Sequence, residues 1–124
     1  MLASGTMVGF VPIREFDKAR AFYEGKLGFD FVGQDQFALV MSAGGRKIRM
    51  TKIPNFTPLH GTILGWEVDD IQATATWLKN RGVNLEKYPF AQDHELGIWT
   101  SPSGDRVAWF KDPDGNILSV TQCH

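Results

Sequence analysis

The side chains that most often carry chemistry are scattered along this sequence. The three histidines are His60, His94 and His124. No two of them have the His-x-x-x-His spacing of a zinc site, and the single cysteine, Cys123, offers no cysteine pair for structural zinc. His94 and Glu95 are adjacent in "QDHELGIW", where a polar loop tip is the commoner interpretation, although Trp99 nearby would suit a flap over a binding site. The sequence therefore predicts no relocated zinc site and leaves His94, Glu95 and Trp99 as candidate ligand contacts.

The composition excludes several classes of partner. The chain has 124 residues, 43% of them hydrophobic, which is enough for one core but not for two ordinary domains. Thirteen basic and fourteen acidic side chains give a net charge of -1, and no basic run points to nucleic acid or a membrane surface. One cysteine excludes an internal disulfide and indicates a reducing, cytoplasmic setting. A soluble protein with a small-molecule partner is the remaining expectation.

Apolar periodicity predicts a strand, a helix and three further strands in a first module of about residues 7–53. The segment 7–13 is a predicted strand, and 14–29 has apolar residues at helical spacing before Gly28 ends the helix. Three short runs rich in β-formers follow: 29–34, 37–43 and 47–53. The order is therefore βαβββ.

The same order begins again after a Pro- and Asn-containing linker at residues 54–61. Residues 62–68 are a predicted strand, and 69–82 are a predicted helix with a buried stripe formed by Ile71, Ala75 and Leu78. The second module, about 62–122, is longer than the first, and the extra residues are assigned to an inserted hairpin at 91–105. We expect one domain over residues 1–124, built from two tandem modules.

The segment "FKDPDGNILSV" at 110–120 is the most tightly specified turn in the chain. Pro113 fixes its own φ, Asp114 and Gly115 suit a tight turn, and apolar residues alternate on either side, so a β-hairpin is predicted. A turn centred on Asp114 places Trp109 opposite Ser119. The same logic places Leu39 opposite Arg49 in the first module.

Three segments carry a resemblance to a known family: "FDKARAFYEGKLGF", "GWEVDDI" and "FKDPDGNILSV". In this order they resemble the vicinal oxygen chelate superfamily, which includes glyoxalase I, bleomycin-resistance proteins, fosfomycin-resistance enzymes and extradiol dioxygenases. The resemblance implies an α+β fold, in which two tandem βαβββ modules form a curled mixed sheet and together make a cup for a small ligand or a divalent metal. This fold hosts several chemistries, so it does not by itself give an activity.

Metal-dependent members of that superfamily usually place His or Gln on the first strand of each module and Glu on the last. Aligning the motifs puts these positions at Val8, Arg49, Ile63 and Ser119. Valine and isoleucine have no lone pair, arginine repels a metal ion, and a serine hydroxyl alone is a weak ligand. We therefore expect neither a metal nor another cofactor.

Side chains alternate along a strand, so residues two positions from those four should line the same concave face. The predicted lining is apolar and aromatic with a few polar points, as in small-molecule sites. Its candidate ligand contacts are Phe10, Arg49, Glu67, Trp109, Ser119 and Thr121. Each has a structural alternative, since Phe10 and Trp109 suit a core and Arg49 suits an ion pair with Glu67.

Two functions from different classes follow from this lining. The first is a metal-independent binding protein of the glyoxalase/bleomycin-resistance type, whose aromatic cup binds an amphipathic or aromatic ligand. In this protein the guanidinium of Arg49 would donate paired hydrogen bonds to a carboxylate or phosphate of the ligand. The second is a glyoxalase- or isomerase-like enzyme with Glu67 as base and Arg49 as oxyanion stabiliser. A carboxylate beside an arginine stays ionised and is a weak base, so binding is favoured. A metal lyase using His94 and Glu95 ranks last, because the family places no ligands there.

The assembly is expected to be a homodimer. The family resemblance suggests it, and strands such as "MVGFVPI" carry apolar residues on both faces. A curled sheet of this kind leaves one edge and one face to be covered.

Overall fold

Strands and helices follow one another in the order βαβββ twice along the chain. The computed structural model describes all residues 1–124, which divide into two units at 1–57 and 58–124. After a short 3-10 turn at Leu2–Ser4, the first unit contains β1 (Val8–Ile13), α1 (Phe16–Arg20), β2 (Asp30–Gln34), β3 (Ala38–Ala43) and β4 (Arg46–Lys52). The second contains β5 (Thr62–Glu67), α2 (Ile71–Asn80), β6 (Trp99–Thr100), β7 (Arg106–Lys111) and β8 (Ile117–Gln122).

Each unit forms one open, four-stranded mixed sheet. The strand orders are β1-β4-β3-β2 and β5-β8-β7-β6, so the two sheets have the same topology. In each, the first and last strands of the unit pair in parallel, and the remaining neighbours are antiparallel. The predicted α+β fold of two tandem βαβββ modules is confirmed.

One face of each sheet is covered by its helix. In β1, Val11 and Ile13 are buried, whereas Val8 and Phe10 on the opposite face are exposed. In the second unit, the buried stripe of α2 packs towards β7 and β8, whose inward side chains include Phe110. This alternation leaves one face of the first sheet available for a ligand or partner.

The first helix is longer than its α-helical part. It continues as a π-helical segment, Ala21–Lys26, in which the adjacent Phe22 and Tyr23 are both buried. The Leu27 N–H donates to the Phe22 carbonyl five residues earlier, at 3.0 Å, which is the hydrogen-bond spacing of a π-helix. Gly28, with a φ of 81°, ends the helix as predicted.

The longer second unit owes its extra residues to irregular chain between α2 and β6. Within residues 91–105, only Trp99–Thr100 forms a strand, and it pairs with β7. This strand occupies the same place in its sheet as β2 does in the first. The Glu86 N–H donates to the Trp109 carbonyl at 2.8 Å, which ties the irregular segment to β7. No helix of the chain has the length and apolarity needed to cross a membrane.

Candidate functional site

On the face of the second sheet that points away from α2, three residues form a row of increasing size. Gly65 of β5 pairs with Ser119 of β8, which lies opposite Trp109 of β7. The predicted pairing of Trp109 with Ser119 is thus confirmed. Ser119 is only 8% exposed, and a Cβ added at Gly65 would lie 3.1 Å from its Oγ. We call this row of Gly65, Ser119 and Trp109, in which only Trp109 has a large side chain, the Trp109 shelf.

The next row on this face is more polar. Glu67 pairs with Thr121, Thr121 lies opposite Val107, and Val107 lies opposite Trp99 of β6. The Trp99 and Trp109 ring centroids are 6.1 Å apart with an interplanar angle of 34°. The structure therefore brings several predicted contacts to one sheet face: Glu67, Trp99, Trp109, Ser119 and Thr121.

Two further rings from the irregular segment join the tryptophans. Tyr88 and Phe90 stack with centroids 5.3 Å apart, and both meet Trp109 edge to face, at 5.5 and 5.8 Å. Phe90 also meets Trp99 edge to face at 6.1 Å and is 57% exposed. We call these four rings the aromatic cluster. Sequence reasoning missed Tyr88 and Phe90, although "KYPF" places two aromatic residues two positions apart, because the segment has no strand or helix period from which to infer a face.

Glu67 lies at the edge of the same face and contacts the end of the chain. It is exposed, and hydrogen bonding to it, together with burial and the nearby charges of Glu67 and Asp105, raises the pKa of the Cys123 thiol. Glu67 therefore influences the thiol near the end of the chain while its own side chain is open to solvent.

In the first unit, the equivalent row combines an aromatic ring, a cation and an aliphatic side chain. Phe10 of β1 pairs with Arg49 of β4, and Arg49 lies opposite Val40 of β3. The expectation that Leu39 lies opposite Arg49 is wrong, because Leu39 pairs with Met50 and is fully buried on the helix side.

The physical reason is the turn between β3 and β4. It has two residues, Gly44 and Gly45, both with positive φ, between the paired Ala43 and Arg46. The centre of the hairpin therefore lies between the two glycines and not on Gly44, which moves the partner of Arg49 by one residue, from Leu39 to Val40. A shift of one position exchanges the two faces of a strand.

A cavity of about 690 Å³ lies on this face of the first sheet. It is lined by Val8, Phe10, Val32, Gly33, Gln34, Asp35, Ala38, Val40, Lys47 and Arg49. The walls are mostly apolar, and the charged groups are two cations and one carboxylate. The predicted contacts Phe10 and Arg49 are therefore neighbours in one cavity, the first-unit cavity.

The remaining two predicted contacts do not join the Trp109 face. His94 and Glu95 are exposed in a turn where Asp93 Oδ1 accepts the N–H of Glu95 at 2.9 Å. Glu95 instead lines a small cavity of about 120 Å³ with Lys79, Val83, Asn84, Leu85 and Lys87. Neither residue has a contact that assigns it to the aromatic cluster.

The residue types at the four metal-ligand positions do not form a donor set. Val8 is an exposed aliphatic side chain, Arg49 is a cation, and Ile63 lies at a register irregularity of β5. Ser119 has one largely buried hydroxyl. No group of three or more His, Cys, Asp or Glu side chains in the chain is arranged to hold a metal ion.

Comparison with known proteins identifies one family. The model of the Glyoxalase/Bleomycin resistance protein/Dioxygenase superfamily matches residues 7–120. No curated protein matches the chain in sequence.

Solved structures share the fold over nearly the whole chain. A bleomycin resistance determinant encoded on the transposon Tn5 is 25% identical, with a TM-score of 0.74 and coverage of 96% of this chain and 98% of its own. TnmS3, an antibiotic binding protein from Streptomyces sp. CB03234, is 25% identical, with a TM-score of 0.71 and coverage of 100% and 99%. A superfamily member from Sphaerobacter thermophilus is 21% identical, with a TM-score of 0.75 and coverage of 99% and 100%.

Proposed function

Since the chain belongs to the Glyoxalase/Bleomycin resistance protein/Dioxygenase superfamily, we propose that it is a small-molecule binding protein of the bleomycin-resistance type. The observation that carries this proposal is the aromatic cluster beside the Trp109 shelf. Two structural neighbours, a bleomycin resistance determinant and an antibiotic binding protein, support the same class of function. The ligand we propose is a planar aromatic or amphipathic molecule.

The geometry of the cluster suits stacking on Trp109. Tyr88 and Phe90 hold the indole edge to face, so its orientation is set before a ligand arrives. Preorganisation of this kind reduces the entropy lost on binding. Gly65 and Ser119 add little side-chain bulk to the row beside the indole, and Thr121 and Glu67 in the next row offer polar contacts.

Three further properties belong to the proposal. The protein needs no metal, because two of the four ligand positions are aliphatic, one is a cation and the last is a single hydroxyl. It acts as a homodimer, as the open edges of both sheets suggest. It works in a reducing, cytoplasmic setting, where a lone cysteine needs no partner.

An isomerase-like role for Glu67 has less support. A general base that works near neutral pH is usually a carboxylate shielded from water, since desolvation raises its pKa. Glu67 is exposed to solvent. Binding without turnover therefore remains the function that the residues support best.

Calorimetric titration of matched variants tests the proposal. Bleomycin and 2-naphthamide, a neutral bicyclic probe, are titrated into the wild-type protein, Trp109→Ala and the control Trp77→Ala. Trp77 is 44% exposed on α2, where Arg81 covers its ring at 4.7 Å, and it lies outside the aromatic cluster. Loss of one stacked ring should weaken binding by about tenfold or more in Trp109→Ala. The proposal is refuted if the wild type and Trp109→Ala bind the probes with equal affinity. It is also refuted if neither bleomycin nor 2-naphthamide binds to the wild type.

A further inference from the structure

We propose that the first-unit cavity binds the carboxylate of an amphipathic organic acid through Arg49. This inference goes beyond the Trp109 shelf, because it assigns a separate site and ligand class to the first unit; it rests on the proposed function in that the chain binds small molecules. A cavity of about 690 Å³ has the size of ordinary small-molecule sites, and its walls of Val8, Phe10, Val32 and Val40 provide apolar surface for the body of such a ligand.

Two cations lie next to each other on this face. Lys47 and Arg49 are two residues apart on β4, so both side chains project into the same cavity, with their Cα atoms about 7 Å apart. Within the first unit, neither side chain forms an ion pair or hydrogen bond. Two neighbouring like charges repel, and an anion placed between them relieves that repulsion.

Arg49 is not an ordinary solvated surface cation. It lies in the middle of β4 between Phe10 and Val40, and it is only partly exposed. Apolar neighbours lower the local dielectric, which strengthens the attraction of the guanidinium for an anion. Its planar fork matches the two oxygens of a carboxylate.

The single carboxylate in the cavity, Asp35, offsets only part of this positive charge. Asp35 uses Oδ1 to accept the N–H groups of Phe37 and Ala38, at 2.8 and 2.9 Å, at the turn between β2 and β3. It forms no ion pair with either cation. With Lys47 and Arg49 positive and Asp35 negative, the lining keeps one net positive charge, so an anionic ligand is favoured over a cationic one.

Three naphthalene probes that share one ring system test the charge preference by calorimetry at low ionic strength: 2-naphthoate, 2-naphthamide and 2-naphthylmethylammonium. The wild type should bind the acid about thirtyfold more tightly than the amide, and the ammonium most weakly. Arg49→Met keeps the length of the stem and removes the fork, so the affinity for 2-naphthoate should fall about thirtyfold while that for the amide stays unchanged.

Matched variants separate charge from structure. Arg46 lies three residues before Arg49 on β4, so its side chain projects to the other face and does not line the cavity. The control variant Arg46→Met should therefore leave the affinities for all three probes unchanged. Arg49→Lys should keep the preference for the acid with weaker affinity. If Arg49→Met fails to fold, Lys47→Met on the neighbouring row should still reduce the acid preference.

The outcomes distinguish this inference from the proposed function. If the amide binds in a Trp109-dependent way but the acid binds no more tightly, the proposed function stands and the carboxylate site is refuted. If Arg49→Met weakens all three probes alike, Arg49 is structural and the inference is also refuted. If no probe binds, both proposals fail.

Discussion

Trp109 lies directly opposite Ser119 across β7 and β8, so the indole and the hydroxyl project from the same sheet face. The equivalent pair in the first unit is Val40 and Arg49. Two sheets of identical topology therefore carry different chemistry at matching positions, an aromatic platform in one and a cation between apolar side chains in the other.

Replacing Trp109 with alanine should destabilise the protein as well as weaken ligand binding. The indole contacts three other rings, and removing a packed aromatic side chain costs about 3 kcal/mol. Urea denaturation measures the change in the free energy of unfolding. Trp77→Ala, on the exposed side of α2, should cost much less, and equal losses in the two variants would contradict the packing described for Trp109.

Gly97→Ala should be among the most damaging single-methyl substitutions in the chain. Gly97 has a φ of 76°, and a Cβ there would collide with the Glu86 carbonyl oxygen, which is backbone and cannot rotate away. We expect a loss of at least about 3 kcal/mol, from the left-handed conformation and the collision together.

The matched control for this substitution is Gly45→Ala. Gly45 has the same φ of 76°, but a Cβ added there would have no atom within 4 Å. Its loss should be about 1–2 kcal/mol, which is the conformational cost alone. If chemical denaturation gives the same loss in free energy of unfolding for both variants, a collision with the Glu86 carbonyl does not contribute to the effect of Gly97→Ala.

Asp35→Asn should reduce stability at neutral pH and have no effect at strongly acidic pH. The N–H groups of Phe37 and Ala38, and more distantly Arg49, hold the pKa of Asp35 below its ordinary value of 3.8. A carboxyl group with a lower pKa in the folded state stabilises the fold above the unfolded pKa, and this contribution is lost as the pH falls through the folded pKa.

Urea denaturation at a series of pH values checks this dependence. The difference in free energy of unfolding between wild type and Asp35→Asn should be constant above about pH 5 and close progressively below it. Asp17→Asn, which removes a charge from α1, controls for net charge. A difference that does not change with pH would show that the ionised carboxylate is not what the turn requires.

Purified protein should contain no stoichiometric divalent metal, and EDTA should leave its melting temperature unchanged. The reason is the chemistry of Val8, Arg49, Ile63 and Ser119, none of which is an effective ligand. Elemental analysis and thermal denaturation with and without chelator provide the measurement. A drop of several degrees with EDTA would overturn the expectation.

The protein should be a homodimer at micromolar concentration. Both sheets are open, and large apolar side chains such as Phe37 (65% exposed) and Leu59 (66% exposed) lie at the surface of the single chain. Light scattering should give about twice the 13.9 kDa mass of one chain. A mass of one chain that does not change with concentration would contradict dimer formation.

The sequence by itself determined the order of elements and most of the strand faces. Hydrophobic periodicity and glycine signals act over a few residues, so the two βαβββ runs, the end of the first helix at Gly28 and the hairpin around Asp114 were all predictable. The pairing of Trp109 with Ser119 followed from that turn, because an antiparallel register is set locally by the turn that begins it.

Only the tertiary structure decided which other side chains share those faces. Because the turn at Gly44 and Gly45 has two residues, Val40 and not the predicted Leu39 lies opposite Arg49. A register shift of one residue exchanges the two faces of a strand. Tyr88 and Phe90 joined Trp109 through ring packing in a segment without periodicity. Such contacts depend on how distant parts of the chain fill space together, and no local pattern in the sequence encodes them.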